Sequence, residues 1–233
     1  MNTSAYGWLM LAGIIVSVFF WSRLAQRDDR LLLVYVAALL GAFLGAKAVY
    51  LLAEGWIDWP QPDRWRRLLT GKTILGGLLG GYASVEITKR LVGYRSATGD
   101  WFALIVPVGI LFGRAGCWLH GCCLGHVCAA SWFTLKDAAG VERWPAVPVE
   151  ILFNVAALPA ALLLRWRKIL PGQHFHLYLI AYGIFRFAHE FFRDTPRLLG
   201  PLSGYALAAL ATAGLGLAGF ILRRRANGLP KPG

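Results

Sequence analysis

Charge is scarce in this sequence. Only 15% of its 233 residues are Asp, Glu, Lys or Arg, against 57% hydrophobic, and the mean hydropathy is +0.53. That balance excludes a soluble domain of this length. A basic leader is also missing: Asn2-Thr3-Ser4 carries no positive charge, and no small-residue cleavage site follows the first apolar run. No cleavable signal peptide is therefore expected. No repeat and no linker interrupts the chain, so it reads as one domain over 1–233. Residues 223–233 are expected to form a disordered cytoplasmic tail. Cysteine is absent everywhere except Cys117, Cys122, Cys123 and Cys128, all within twelve residues.

Apolar runs are what the sequence has in abundance. Seven of them, at about 6–22, 31–53, 73–88, 101–120, 148–164, 174–192 and 200–222, approach the roughly 20 residues that cross a bilayer. The fold class expected is all-α, an integral membrane bundle of about seven transmembrane helices. A formal charge of +12 would suit nucleic acid, but the cations sit in short loops between apolar runs. That pattern orients a membrane protein instead, and no nucleic-acid partner is expected. With the N-terminus outside, the inner loops carry Arg23, Arg27, Arg30, Lys89, Arg90, Arg95, Arg165, Arg167, Lys168, Arg223, Arg224, Arg225 and Lys231. The outer loops carry fewer: Arg64, Arg66, Arg67, Lys72, Lys136, Arg143, Arg193 and Arg197. The excess inside predicts a periplasmic N-terminus and a cytoplasmic C-terminus. Trp21, Trp101 and Trp166 then fall at the inner headgroup zone and the other tryptophans at the outer one.

The third run carries Gly76, Gly77, Gly80 and Gly81. Small-xxx-small spacing predicts close helix packing. The competing expectation is a partly unwound segment whose bare amides meet a lipid headgroup.

Lys47, Glu86, Arg114, Glu150, Arg186, His189 and Glu190 lie inside or at the ends of apolar runs. A charge near the bilayer centre costs about 2.5–3.5 kcal/mol on insertion scales, so these side chains must face the bundle interior or water. Arg186 and Glu190, four residues apart, are spaced for a direct pair. One reading is a structural salt bridge between helices. The other is a polar cavity for an anionic headgroup, with Arg114 and Arg186 gripping phosphate. The surplus of cations over Glu86, Glu150 and Glu190 favours the second.

The cysteine segment leaves four readings open. Thiolates and imidazoles of Cys117, His120, Cys122 and His126, with Cys123 and Cys128 in the same run, are donors that zinc or copper favours, although adjacent Cys122 and Cys123 rarely both ligate one ion without strain. Disulfides suit an even count at an outer face. Cys117, one turn from Arg114, is placed as a reactive thiol. Small apolar filler in a Gly-rich turn is the fourth. No resident cofactor is expected.

Several motifs resemble those of the prolipoprotein diacylglyceryl transferases. They are Tyr6-Gly7, Gly45-Ala46-Lys47 with Tyr50, Leu75-Gly76-Gly77-Leu78 with Gly80-Gly81, and Gly113-Arg114-Ala115-Gly116 running on to Gly121 and Gly125. Arg143-Trp144-Pro145 with Glu150 follows, then Tyr182-Gly183-Ile184-Phe185-Arg186 continuing to Glu190-Phe191-Phe192-Arg193. The resemblance implies a seven-span inner-membrane enzyme that moves a diacylglyceryl group from phosphatidylglycerol to a lipobox cysteine of a prelipoprotein, releasing glycerol phosphate. It implies catalytic roles for Arg114, Arg186 and Glu190. It also implies substrate contacts at Tyr6, Lys47, Gly76, Gly77, Gly116, Cys117, Gly121, Gly125, Glu150, Tyr182 and Arg193. Two places depart from the family pattern. Leu75 stands where a His-Gly-Gly motif has histidine, and Cys117, His120 and Cys122 stand where the Arg-bearing signature has Asn, Asn and Glu. The chain thus resembles a divergent, cysteine-bearing member.

Alkylating a thiol needs a thiolate and positive charge on the departing phosphate. Arg114 and Arg186 are expected to supply the charge. His120 is the candidate base, with His126 and His189 as rivals. Two readings from other classes remain: a non-catalytic lipid-binding relative, and a membrane thiol-redox or metal-binding protein built on residues 117–128.

Overall fold

The computed structural model describes residues 3–26 and 28–228. Its long helices fall on the apolar runs: α1 (Thr3–Ala25), α2 (Arg30–Tyr50), α5 (Ile74–Leu91), α6 (Gly99–His120), α7 (Ala146–Trp166), α8 (His174–Glu190) and α9 (Gly204–Gly228). A π-helical turn, Leu51–Gly55, prolongs α2 into two short helices, α3 (Trp56–Asp58) and α4 (Arg64–Thr70). Two small antiparallel hairpins complete the chain: β1 (Leu135–Lys136) with β2 (Glu142–Arg143), and β3 (Arg197–Leu199) with β4 (Leu202–Ser203). The fold is all-α apart from these. Because α9 runs to Gly228, the backbone of 223–228 continues the helix, and residues 229–233 of the expected tail lie outside the described residues.

Five helices, α1, α2 with its π extension, α6, α7 and α9, are long and apolar enough to cross a membrane. The other two are limited by polarity and length. α5 carries Glu86, Lys89 and Arg90, and α8 has 17 residues including Arg186, His189 and Glu190. The outward faces carry exposed Leu40, Leu44, Leu152 and Leu162, as lipid-facing surfaces do.

Lipid tails are as apolar as leucine, so helices associate by close packing or by hydrogen bonds rather than by hydrophobic exclusion. The α2–α5 pair uses the first means. A Cβ on Gly45 or Gly76 would collide with the other's carbonyl oxygen, and one on Gly80 with that of Gly41. α5 is continuous through all four glycines, so the unwound segment is not formed; the backbone amides are spent on the helix ladder. The α8–α9 pair repeats the device, with Gly183 against Ala209 and Ala213, and Gly216 against Leu179.

The helices close a ring in the order α1–α2–α5–α9–α8–α6, and α7 packs outside it on α6 and α8. Trp21 is a correction to the expected headgroup belt. It is fully buried, stacked 5.4 Å from Tyr35 and 4.8 Å from Phe102, because its position on α1 faces the ring interior.

Candidate active site

Inside the ring lies a cavity of about 1460 Å³, larger than the ~300–1,000 Å³ that suits a compact small ligand. Its middle is apolar, lined by Leu39, Ala42, Leu78, Phe102, Ile105 and Ile110. Arg114, Arg186 and Arg193 line one end together with His120, Cys117, Cys122 and Cys123. Glu86, His176 and Arg223 line the opposite end.

The three guanidinium groups are held from behind. Glu150, fully buried on α7, sits 2.9 Å from Arg114 Nε and 3.9 Å from both Arg186 Nη1 and Arg193 Nη1. Tyr182 donates to its Oε1 at 2.6 Å. Glu190, one turn past Arg186 on α8, accepts from Arg186 Nη2 at 3.0 Å and stands 3.7 Å from Arg193 Nε. Its other oxygen accepts from Thr195 at 2.7 Å and Ser203 at 3.0 Å. Neither carboxylate lines the cavity, whereas all three arginines do. Three guanidinium groups thus face two carboxylates. Arg186 Nε, Arg193 Nε and Arg193 Nη1 are buried without a hydrogen-bond partner among the described residues. Buried donors left unmade are costly, and here they belong to arginines that line the cavity.

A second layer fixes this one. Asn154, a turn after Glu150, donates to the Glu150 carbonyl at 2.9 Å and accepts from Tyr178 at 2.8 Å. Trp144 donates to His189 Nε2 at 3.2 Å. Arg143 ties three loop segments together, donating to Asp137 at 2.6 Å, to the Gly125 carbonyl at 3.1 Å and to Asp194 at 3.1 Å. That hydrogen bond holds the Asp137 carboxyl below its ordinary range.

Several expected contacts stand elsewhere. Gly76 is buried in the α2–α5 seam, while its neighbour Gly77 lines the cavity, because adjacent helical positions point about 100° apart. Gly116, Gly125, Lys47, Glu150, Tyr182 and Glu190 do not line the cavity either. Gly125 packs against the Trp144 carbonyl, where a Cβ would not fit, and Lys47 Nζ donates to the Gly71 carbonyl at 3.2 Å. Gly121 does line the cavity, ending α6 in the left-handed conformation at φ +69°. The Tyr6 side chain lies outside the described residues.

Of the three candidate bases, His120 lines the cavity. His126 stacks on Phe192 with ring centroids 5.9 Å apart, and His189 is engaged by Trp144 and Arg186. All four cysteines are free thiols. Of the expected donors, Cys117, Cys122 and Cys123 come together, while His126 is stacked on Phe192. Asn154, Tyr178, Thr195 and Ser203 were not anticipated from the sequence. Only Asn154, a polar residue one turn from Glu150 in an apolar run, left a readable signal.

Fold and site together define a helical membrane protein with a guanidinium-walled internal cavity. The sequence matches the model of the prolipoprotein diacylglyceryl transferase family over residues 1–222. It is 30% identical over 223 residues to a phosphatidylglycerol–prolipoprotein diacylglyceryl transferase of Rhodospirillum rubrum, covering 90% of this chain and 80% of that protein. Similarity to the protein of that name from Idiomarina loihiensis is 35% over 162 residues, covering 67% and 60% of the two chains. For the one called transferase 2 from Clostridium perfringens it is 29% over 211 residues, covering 83% and 80%. The chain belongs to the prolipoprotein diacylglyceryl transferase family, whose members are transferase enzymes.

Proposed function

We propose that this protein crosses the inner membrane seven times, N-terminus outside, and transfers a diacylglyceryl group from phosphatidylglycerol to a cysteine thiol of a lipobox-bearing prelipoprotein. One observation carries the reading: three guanidinium groups backed by two carboxylates, at one end of a cavity with an apolar middle. The phosphate of the lipid sits against Arg114, Arg186 and Arg193, and its acyl chains lie along the apolar middle. As sulfur bonds to the glyceryl carbon, the carbon–oxygen bond to phosphate breaks and its electron pair leaves with glycerol phosphate. Negative charge then grows on the phosphate oxygens, where fixed guanidinium groups stabilise it most. Glu150 and Glu190 act as positioning residues, since they pair with the arginines rather than lining the cavity, and Tyr182 acts through Glu150. His120 is the base suited by location to take the thiol proton.

The test is release of glycerol phosphate from proteoliposomes holding phosphatidylglycerol and a lipobox peptide. Arg114→Ala and Arg186→Ala are expected to slow release by about 10²-fold or more while the protein still inserts. Unchanged release by both variants would overturn the reading.

A further inference from the structure

Three thiols at the arginine end of the cavity have no part in the network described so far. α6 ends at Gly121, and the chain stays left-handed at Cys123 (φ +61°), which folds residues 121–123 back onto the last helical turn. The Sγ atoms of Cys117, Cys122 and Cys123 lie within 4.8 Å of one another, with Cys117 and Cys123 at 3.9 Å. Sulfurs bound to one tetrahedral zinc at about 2.3 Å stand roughly 3.8 Å apart, so the cluster has the span of a single ion. All three residues are half-buried and line the cavity. Among the described residues no other three histidine, cysteine or acidic side chains come together in this way.

We propose that Cys117, Cys122 and Cys123 bind a zinc ion as thiolates, and that its fourth position, open to the cavity, receives the acceptor thiol of the transfer reaction. Three protein ligands with one open position are the pattern of catalytic rather than structural zinc. The arginine network lies beside the three sulfurs. Arg114 Nη1 stands 4.0 Å from Cys117 Sγ, an N–H···S contact of the kind that orients metal thiolates.

The role of the ion rests on the transfer reading above. A thiol that coordinates zinc gives up its proton to solvent. The zinc-bound sulfur uses its electron pair to bond to the glyceryl carbon. The carbon–oxygen bond breaks, its pair leaves on the phosphate against Arg114 and Arg186, and the neutral thioether leaves the ion. A free thiol of pKa near 8.5 is about 3% thiolate at pH 7, so full ionisation is worth up to roughly thirty-fold in rate.

The experiment uses the full chain in detergent, stripped with a chelator and then titrated with Zn²⁺ alone. Bound metal is counted by mass spectrometry, and Co²⁺ substitution is read by its sulfur-to-metal absorption. One zinc per chain is expected, lost in Cys117→Ser, Cys122→Ser and Cys123→Ser and kept in Cys128→Ser, with sulfur–cobalt absorption following the same pattern. Stripped wild type should release glycerol phosphate about thirty-fold more slowly at pH 7, recover with zinc, and bind phosphatidylglycerol vesicles as before. No stoichiometric zinc on wild type, or zinc retained by all three variants (adventitious binding), overturns the site, and this holds even if a variant fails to fold. Zinc-dependent stoichiometry with unchanged turnover after stripping overturns the acceptor role. Cysteine-dependent zinc in a protein that never consumes phosphatidylglycerol supports the site and overturns the transfer reading instead.

Discussion

Two helix contacts solve the same problem by opposite means. α2 meets α5 through bare backbone, with Gly41 and Gly45 against Gly76 and Gly80. α7 meets α6 and α8 through charge, with Glu150 holding Arg114, Arg186 and Arg193. The first contact is satisfied by itself and asks nothing of a ligand. The second keeps one cation in excess, on arginines that line the cavity. Packing without polar atoms gives a rigid wall, and packing through unbalanced charge gives a wall that can bind.

The charged contact breaks hardest. Glu150→Leu leaves buried Arg114 without a carboxylate, and Arg186 and Arg193 with Glu190 alone; breaking a buried ion pair by removing one partner costs about 3–5 kcal/mol. Denaturation in detergent micelles should show that loss. A smaller change than for a glycine in the α2–α5 seam would mean that cavity water already hydrates the arginines. Tyr182→Phe is milder, because Glu150 Oε1 keeps Arg114 Nε at 2.9 Å. Loss of one hydrogen bond to a charged group predicts about 1.5–3 kcal/mol, together with slower turnover if Glu150 positions the arginines.

The apolar contact should fail sterically. Gly45→Ala drives a methyl into the Gly76 carbonyl, and overpacking of this kind costs about 1–3 kcal/mol. The part of the protein that still folds should keep its phosphatidylglycerol turnover, because Gly45 does not line the cavity. A variant that folds fully but turns over slowly would show instead that the seam sets the shape of the cavity.

What could be read from the sequence divides along the same line. Apolar runs flanked by charge or turn residues place the long helices closely; the run at 148–164 becomes α7 (Ala146–Trp166), and that at 101–120 becomes α6 (Gly99–His120). Hydrophobicity is a property of each run alone, so it survives without knowledge of neighbours. The Gly76/Gly80 seam was legible for the same reason, since its spacing lies within one helix. Arg186 with Glu190 also lies within one helix, and that pair forms. Pairings between distant segments left little trace. Ser203 reaches Glu190 from the end of a hairpin, and Cys123 reaches Cys117 only through two left-handed residues after α6. Lys47, an intramembrane cation like Arg114, instead satisfies the Gly71 carbonyl, which its position in the sequence does not reveal.

The finest test separates two neighbours that looked alike in sequence. Gly76 is buried against Gly45, whereas a Cβ on Gly77 would meet only Ala42 and Ala46, at 3.6 and 3.9 Å, which are ordinary contact distances. Gly77→Ala should therefore leave stability unchanged or raise it by up to about 1 kcal/mol, since alanine is the better helix former. Gly76→Ala should cost about 1–3 kcal/mol. Their effects on turnover should be reversed, because the added methyl at Gly77 projects beside the path assigned to the lipid and the one at Gly76 does not. Measuring both stability and glycerol phosphate release for the pair resolves the wall into its two functions. Equal effects on both readouts would mean that helix spacing alone governs the cavity.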